Sequence, residues 1–277
     1  MAGSHHQLPR DLAAQFGCEA LAILEGGTYT APSGRTVDLK SLIDHAVRNT
    51  TSYPADLPIE SSAQSNFDTD IKIANVTTLS AAKQLLDQGF RTAALNFASA
   101  THPGGGFLTG ARAQEEYLAR SSALYACLRD NPMYSFHQNH YDPVYSDYLI
   151  YSPDVPVFRG DDGVLLETPY TLSIITAAAV NAQRVPTTRQ DDIPPAMRKR
   201  ILKVLGAAVR HDHDAIVLGA WGCGAFGNDG RVIAELFHES LIHRFRGAFA
   251  RVVFAIRDWS EDKRFIGPFE HAFQDGR

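Results

Sequence analysis

Residues 91–116 carry the part of the sequence that decides the fold, and they read RTAALNFASATHPGGGFLTGARAQEE. The run from Arg91 to Ala98 is short and apolar, which predicts a buried strand. That strand would deliver Asn96 and the loop Gly104–Gly106 to its carboxyl end, and a helix is predicted to begin near Ala113. A strand, a glycine loop and a helix in this order are typical of an α/β fold.

The rest of the chain repeats this alternation of strands and helices, which predicts a three-layer α/β fold. Ligands in such folds bind at the carboxyl ends of the strands. Residues 50–68 are predicted to form an extended connection, and 131–170 to hold short strand-like pieces such as 147–151. The predicted strands lie at 70–76, 91–98, 171–176, 215–220 and 251–256, and the predicted helices at 10–25, 77–88, 113–131, 194–211 and 229–243, with a closing helical segment.

Length, charge and cysteine content limit the class of protein. A chain of 277 residues favours one enlarged domain. Its formal charge of −5 argues against broad binding to nucleic-acid backbones, and no sequence-specific nucleic acid is expected as a partner. There is no apolar run of about 18 residues and no secretion signal, so no membrane partner is expected. Cys18, Cys127 and Cys223 are odd in number and far apart, which indicates reduced thiols and an intracellular location.

The glycine loop is followed by two adjacent carboxylates, Glu115 and Glu116. One interpretation is a surface turn before a helix whose first turn carries acids that complement the helix dipole. A plain turn seldom needs more than one glycine, however, and three exposed N–H groups can form a concave anion site suited to a diphosphate. One carboxyl of the pair can keep its proton and act as an acid. We therefore expect acid-base chemistry on a phosphorylated ligand.

A second glycine loop, GCGAFG at 222–227, follows a predicted strand and precedes a predicted helix. It matches the G-x-G-x-x-G pattern of dinucleotide-binding folds, which is a weak signal alone. The acidic residue expected about 20 positions later is missing, because Asp258 lies beyond that distance. The loop therefore favours a phosphate site at a helix N-terminus over a dehydrogenase. Phe226 either stacks on a sugar or base or anchors the loop in the core.

Motifs of several other enzyme classes are missing from the sequence. It contains no G-x-S-x-G, H-E-x-x-H or G-x-x-x-x-G-K-[ST], the motifs of serine hydrolases, zincins and P-loop enzymes. The histidines at 137, 140, 211 and 213 lack companion ligands at zinc-like spacing, so no metal site is predicted. Cys223 precedes a predicted helix, where its pKa could fall, but without an evident partner base a packing role is favoured.

In both loops the chain resembles the bacterial-type poly(ADP-ribose) glycohydrolases, enzymes built on a macrodomain. Their signature is GGG, a spacer of several residues and QEE, and here seven residues separate Gly104–Gly106 from Gln114–Glu116. The likeness runs from the N-terminal helix to the last strand and is weakest across 131–165. It includes the stretches ALNFASA (94–100), LARSSALY (118–125), VLGAWGCGAFGN (217–228) and VFAI (253–256).

The resemblance implies a three-layer α/β/α macrodomain with a mixed central sheet. One catalytic domain would cover residues 1–277, with an N-terminal helical extension at 1–68 and the macrodomain core at 69–277. The implied reaction is hydrolysis of the O-glycosidic bond between riboses, mainly from the chain end, with no metal or redox cofactor. ADP-ribose polymers or ADP-ribosylated proteins would be substrates, ADP-ribose the product, and a monomer is expected.

The resemblance also implies a role for each residue of the first loop. Asn96 would hydrogen-bond the distal ribose, and Gly104, Gly105 and Gly106 would wrap the diphosphate and the reacting ribose. Glu115 would hold that ribose by its hydroxyls. Glu116 would protonate the departing ribose oxygen and then activate water, and Gln114 would help to orient the carboxylates.

In the second loop, Gly222, Gly224 and Ala225 would bind phosphate, and Phe226 would lie against the ribose near the adenosine. Two alternatives stay open. A non-catalytic macrodomain that reads ADP-ribose would need the glycine loops but not both acids. A related hydrolase would instead act on mono-ADP-ribosyl protein or O-acetyl-ADP-ribose.

Overall fold

The fold is a three-layer α/β arrangement, which confirms the predicted class. The computed structural model describes residues 8–57, 59 and 66–274. The helices are α1 (Arg10–Gly26), α2 (Lys40–Asn49), α3 (Thr78–Asp87), α4 (Gln114–Ser121), α5 (Leu124–Leu128), α6 (Pro132–Asn139), α7 (Ile193–Arg210), α8 (Gly230–Ile242) and α9 (Gly267–Ala272). The strands are β1 (Thr28–Thr30), β2 (Thr36–Asp38), β3 (Thr51–Tyr53), β4 (Asp70–Ala74), β5 (Thr92–Phe97), β6 (Leu149–Arg159), β7 (Leu165–Ala177), β8 (Ala215–Leu218) and β9 (Arg251–Ala255).

The main sheet is mixed and has the order β3-β6-β7-β5-β8-β9-β4. Strands β7, β5, β8, β9 and β4 run parallel, while β6 pairs antiparallel with both β7 and β3. Successive side chains of a strand point to opposite faces, and two separate cores result. On β5, for example, Leu95 packs into the core under α7 and α8, whereas Ala94 packs into the core under α2, α3, α4 and α5.

Local signals explain where several helices begin and end. Helix α1 stops at Gly27, which adopts a left-handed conformation with φ 72° and donates its N–H to the Ile23 carbonyl. The Thr77 side chain accepts a hydrogen bond from Ser80 N and caps α3. Both ends lie where the sequence predicts them. Within the described residues, no helix is long and apolar enough to span a membrane.

The predicted helix at 113–131 is wrong in one respect, because it is split into α4 and α5. The break is at Ser122, whose extended backbone forms a bridge with Val157 of β6. Next to it, Ala123 N donates to the Pro156 carbonyl, also in β6. Hydrogen bonds to a distant strand thus replace those of a continuous helix, and a local pattern does not reveal them.

The region 131–170 is more regular than predicted. Pro132 directly follows the predicted end of the helix at 131 and is the first residue of α6, which Asn131 caps through its side chain. The strand-like pieces belong to the long hairpin of β6 and β7. The extended connection at 50–68 contains β3, and 58 and 60–65 lie outside the described residues. The segment 1–68 thus contributes helices α1 and α2 and also an edge strand of the main sheet, with 1–7 outside the described residues.

Candidate active site

The two glycine loops meet at one edge of the sheet. Strands β5 and β8 are adjacent and parallel, so the segments that follow them leave from the same side. The loop after β5 contains Gly104–Gly106, and the loop after β8 contains 222–227. Strand β7, the other neighbour of β5, also runs parallel and ends at this edge. The structure therefore brings together the two motifs that the sequence singles out.

Close packing requires glycine in the first loop. Gly104 and Gly105 have φ values of 70° and 59°, in the left-handed region that glycine tolerates best. A Cβ at Gly105 would lie 2.1 Å from Glu116 Oε1 and 3.2 Å from Glu115 Oε2. Both carboxyl groups thus border the same glycine, and any side chain there would displace them.

Glu115 is almost fully buried, with 3% of its surface exposed. Its Oε2 accepts a hydrogen bond from Ser99 N at 2.6 Å, and its Oε1 accepts a long one from Asn96 Nδ2 at 3.5 Å. Burial raises the pKa of Glu115 from 4.5 to about 8, and the charge of Glu116 adds to that rise against these hydrogen bonds. A protonated carboxyl is therefore favoured here at neutral pH.

Within the described residues, only one oxygen of the Glu116 carboxyl group forms a hydrogen bond. Its Oε1 accepts a hydrogen bond from Gly106 N at 3.0 Å, so the glycine loop fixes the carboxyl group directly. Its Oε2 is buried and has no hydrogen-bond partner within residues 8–57, 59 and 66–274. A buried oxygen without a partner is costly, and here it leaves an acceptor or donor position for a bound molecule.

The two carboxyl groups lie close together, and the charge of Glu116 helps to keep the Glu115 carboxyl protonated. Arg120, one helical turn after Glu116, is 4% exposed and donates to the Ala111 carbonyl at 2.9 Å. Burial lowers the Arg120 pKa, and the charge of Glu116 opposes that fall. A buried cation thus interacts electrostatically with Glu116.

Gln114 joins the start of α4 to the end of β5. Its Nε2 donates to the Leu95 carbonyl at 2.7 Å and to Thr78 Oγ1 at 3.2 Å, and its Oε1 accepts from Phe97 N at 2.9 Å. The amide is therefore occupied by protein groups on three sides. These contacts fix the helix turn that carries both carboxylates.

Asn96 lies at the carboxyl end of β5 and is fully buried. Its Nδ2 is also within hydrogen-bond distance of Thr176 Oγ1 on β7, at 3.3 Å. Its Oδ1 has no partner in the described part of the chain. Asn96 thus offers a second buried acceptor on the Glu115 side of the site.

The second loop packs closely against the protein at Gly222 and is exposed at 224 and 225. Gly222 has φ 78°, and a Cβ there would lie 2.6 Å from both Ala179 Cβ and Asn228 Nδ2. Asn228 Nδ2 donates to the carbonyls of Val180 and Gly222 at 2.7 and 3.1 Å, which ties the loop to the segment after β7. Gly224 and Ala225 are exposed, and a Cβ at Gly224 would meet no described atom within 4 Å. The Gly224 carbonyl accepts a hydrogen bond from Gly227 N at 3.0 Å, which closes the loop.

The side chains of Phe226 and Cys223 in the second loop pack against the core under α7 and α8. Phe226 is half-buried, with its ring centroid 6.2 Å from that of Tyr145. Burial raises the Cys223 pKa to about 12, so its thiol stays protonated, contrary to the effect of a helix N-terminus. The Asp258 carboxylate accepts hydrogen bonds from Ser260, Phe265 and Ile266 in its own loop. No group of three or more described His, Cys, Asp or Glu residues could hold a metal ion.

The structure adds residues that the sequence does not indicate. Ser99 supplies the N–H that binds Glu115. Helix α6 contacts the loop that contains Ser99, because His137 Nδ1 lies 3.1 Å from the Ala100 carbonyl oxygen. Tyr134 on the same helix is buried, and burial together with the charge of Glu115 raises its pKa. Arg120, described above, differs from these residues because its spacing of one helical turn from Glu116 is visible in the sequence.

Replacement of Gly105 with alanine tests how tightly the loop packs. We expect it to lower the free energy of unfolding by about 1–3 kcal/mol, because of the positive φ and the clash with Glu116. Gly224→Ala is the matched control, since its Cβ would meet no described atom. Urea denaturation of both variants checks this. Equal stability of the two would contradict the packing described for Gly105.

Comparison with known proteins identifies the family. Residues 18–160, just over half of the chain, match the model of the microbial-type PARG catalytic domain. The chain belongs to the microbial-type PARG family. No curated protein matches it significantly.

Solved structures of the PARG family match nearly the whole chain. Poly(ADP-ribose) glycohydrolase (PARG) from Thermomonospora curvata is 46% identical, with a TM-score of 0.91 over 94% of this chain and 99% of that one. The same enzyme bound to the inhibitor ADP-HPD is 47% identical, with a TM-score of 0.89 and the same coverage. PARG from Deinococcus radiodurans in complex with ADP-ribose is 38% identical, with a TM-score of 0.80 over 85% of this chain and 98% of that one. The family suggested by the sequence is thus confirmed.

Proposed function

We propose that this protein hydrolyses the ribose–ribose O-glycosidic bonds of ADP-ribose polymers and releases ADP-ribose, mainly from chain ends. The observation that carries the proposal is the buried pair Glu115 and Glu116, whose carboxyl groups both border Gly105 and of which Glu115 has a raised pKa. Membership of the PARG family supports the same activity. The whole chain, 1–277, would form one catalytic domain of the macrodomain type.

The glycine loops would bind the substrate's diphosphate. Gly104–Gly106 would lie against the diphosphate and the reacting ribose, and the N–H groups of Gly222, Gly224 and Ala225 in the loop after the neighbouring strand would offer donors. Phe226 would pack against the ribose near the adenosine. Asn96 Oδ1 would accept a hydrogen bond from a hydroxyl of the distal ribose, and Glu115 would hold the reacting ribose.

The chemistry follows from the different environments of the two carboxyl groups. Glu116 would give a proton to the leaving ribose oxygen as the glycosidic bond breaks, and the bonding electrons would go to that oxygen. The Glu116 carboxylate is then charged beside an oxocarbenium-like centre, which it stabilises electrostatically. Glu116 would next take a proton from water as the water oxygen bonds to the sugar carbon. The pair returns to its starting charge.

A polymer of defined length tests this function. We expect wild-type protein to release ADP-ribose from the first time point while long chains shorten gradually, because cleavage from the end removes one unit at a time. Products are resolved by gel and chromatography, with mono-ADP-ribosylated protein and O-acetyl-ADP-ribose tested in parallel. Early fragments of intermediate length would contradict the end-directed mode. Binding without release would indicate a reader, and turnover of only the parallel substrates would indicate the related hydrolase.

A further inference from the structure

Helix α1 lies directly against the segment that joins the glycine loop to Gln114. Gly17, in the middle of α1, is buried against the Phe107 backbone. A Cβ at Gly17 would lie 2.4 Å from the Phe107 carbonyl oxygen and 3.3 Å from Leu108 Cα. Because these neighbours are backbone atoms, no side-chain rotation could relieve that contact.

The contact is reciprocal. Gly110, with φ 80°, brings its own backbone so close to α1 that a Cβ there would lie 2.1 Å from the Arg10 carbonyl oxygen. Arg10 Nε donates to the Thr109 carbonyl at 3.3 Å, and Arg112 donates to the Leu8 carbonyl at 2.9 Å. Two glycines and two arginines therefore fasten this stretch of backbone to the N-terminal helix.

A second attachment reaches the other end of α4. The Arg159 guanidinium is 3% exposed and donates through Nε to the Arg120 carbonyl at 3.1 Å. Its NH2 group donates to Glu19 on α1 at 3.1 Å, and the guanidinium lies 4.5 Å from the centre of the Phe16 ring. Helix α1 is thus linked to the segment on both sides of the two carboxylates.

We propose that α1 is part of the catalytic apparatus and that Gly17 is a positioning residue, which sets the place of the Glu116-binding loop through Phe107. The inference rests on the proposed function. Phe107 follows Gly106, whose N–H holds Glu116 Oε1 at 3.0 Å, so a shift of Phe107 moves the contact that fixes the proposed acid. Mechanistically, a misplacement of about 1 Å can cost roughly 100-fold in rate.

The direction in which Gly17→Ala changes activity distinguishes a positioning role from ordinary helix formation. Alanine is a better helix former than glycine, so Gly17→Ala would stabilise an isolated α1. Gly26→Ala, at the exposed end of the same helix, is the matched control, because a Cβ there would meet no described atom within 4 Å. We expect only the Gly17 variant to impair the site.

The test measures kcat on the polymer together with amide hydrogen exchange. For Gly17→Ala we expect kcat to fall about 10- to 100-fold. Exchange at Gly106 N should accelerate relative to amides of β9, while Gly26→Ala behaves as wild type. A kcat equal to that of Gly26→Ala, or a fall in kcat with unchanged Gly106 exchange, would overturn the proposal. An inactive wild type would instead refute the proposed function, and Gly106 exchange would still report on the loop.

A pair of milder substitutions tests the proposal if the Gly17→Ala variant does not fold. Glu19→Gln weakens the link to Arg159, while Glu25→Gln alters an exposed glutamate on the same helix. We expect Glu19→Gln to lower kcat at least about threefold, since it loosens an anchor of α4, and Glu25→Gln to leave it unchanged. Equal kcat values for both variants would count against the link between α1 and the site.

Discussion

Replacement of Glu116 with glutamine is expected to lower kcat for polymer hydrolysis by about 10³-fold, within the range for loss of a general acid-base group. Glutamine has nearly the shape of glutamate and can still accept the hydrogen bond from Gly106 N. It cannot give up a proton to the leaving oxygen or accept one from water. The variant therefore removes the chemistry while it keeps the loop in place.

Binding of ADP-ribose separates the chemical effect from a structural one. We expect the Glu116→Gln affinity, measured by calorimetry, to stay within about tenfold of wild type, because the substitution leaves Asn96, Glu115 and the second loop unchanged. Glu235→Gln, at an exposed position of α8, is the matched control and should keep full activity. Full ADP-ribose release by the Glu116 variant would refute the proposed role of this residue.

Much of the fold could be predicted because its signals are local. The apolar run that becomes β5, the threonine that caps α3 and the glycine that ends α1 each act within a few residues. The break between α4 and α5 could not be predicted, since it depends on the bonds of Ser122 and Ala123 to β6. The pairing of β3 with β6 is equally non-local.

The candidate site shows the same division. The GGG and QEE motifs lie close in sequence, so their proximity could be predicted. The second loop lies at the same edge because β8 pairs with β5, a non-local pairing that was not predicted. The donors that bind the carboxylates could not be predicted, because Ser99 N is a backbone group in a loop without a distinctive pattern. The contact of Gly17 with Phe107 joins segments 90 positions apart, and a glycine inside a helix does not reveal its partner.

Replacement of Glu115 with glutamine is expected to stabilise the protein while it lowers activity. Burial raises the Glu115 pKa from 4.5 to about 8, so folding favours the protonated carboxyl. The resulting penalty is absent below pH 4.5, grows as the pH rises toward 8 and stays constant above it. Glutamine is neutral at every pH, so the variant should gain about 1–3 kcal/mol in unfolding free energy at pH 8.5 and almost nothing at pH 4.5.

The same substitution should change how activity depends on pH. In the wild type, kcat/KM is expected to fall as the pH rises through about 8, because Glu115 then loses its proton and a second charge lies beside that of Glu116. In Glu115→Gln we expect kcat to drop about 100-fold and the fall near pH 8 to disappear, since glutamine does not titrate. Urea denaturation and kcat/KM between pH 4.5 and 9.5 measure both effects. A stability difference independent of pH would mean that Glu115 is ionised in the fold, which would contradict the expected effect of its protonation on activity.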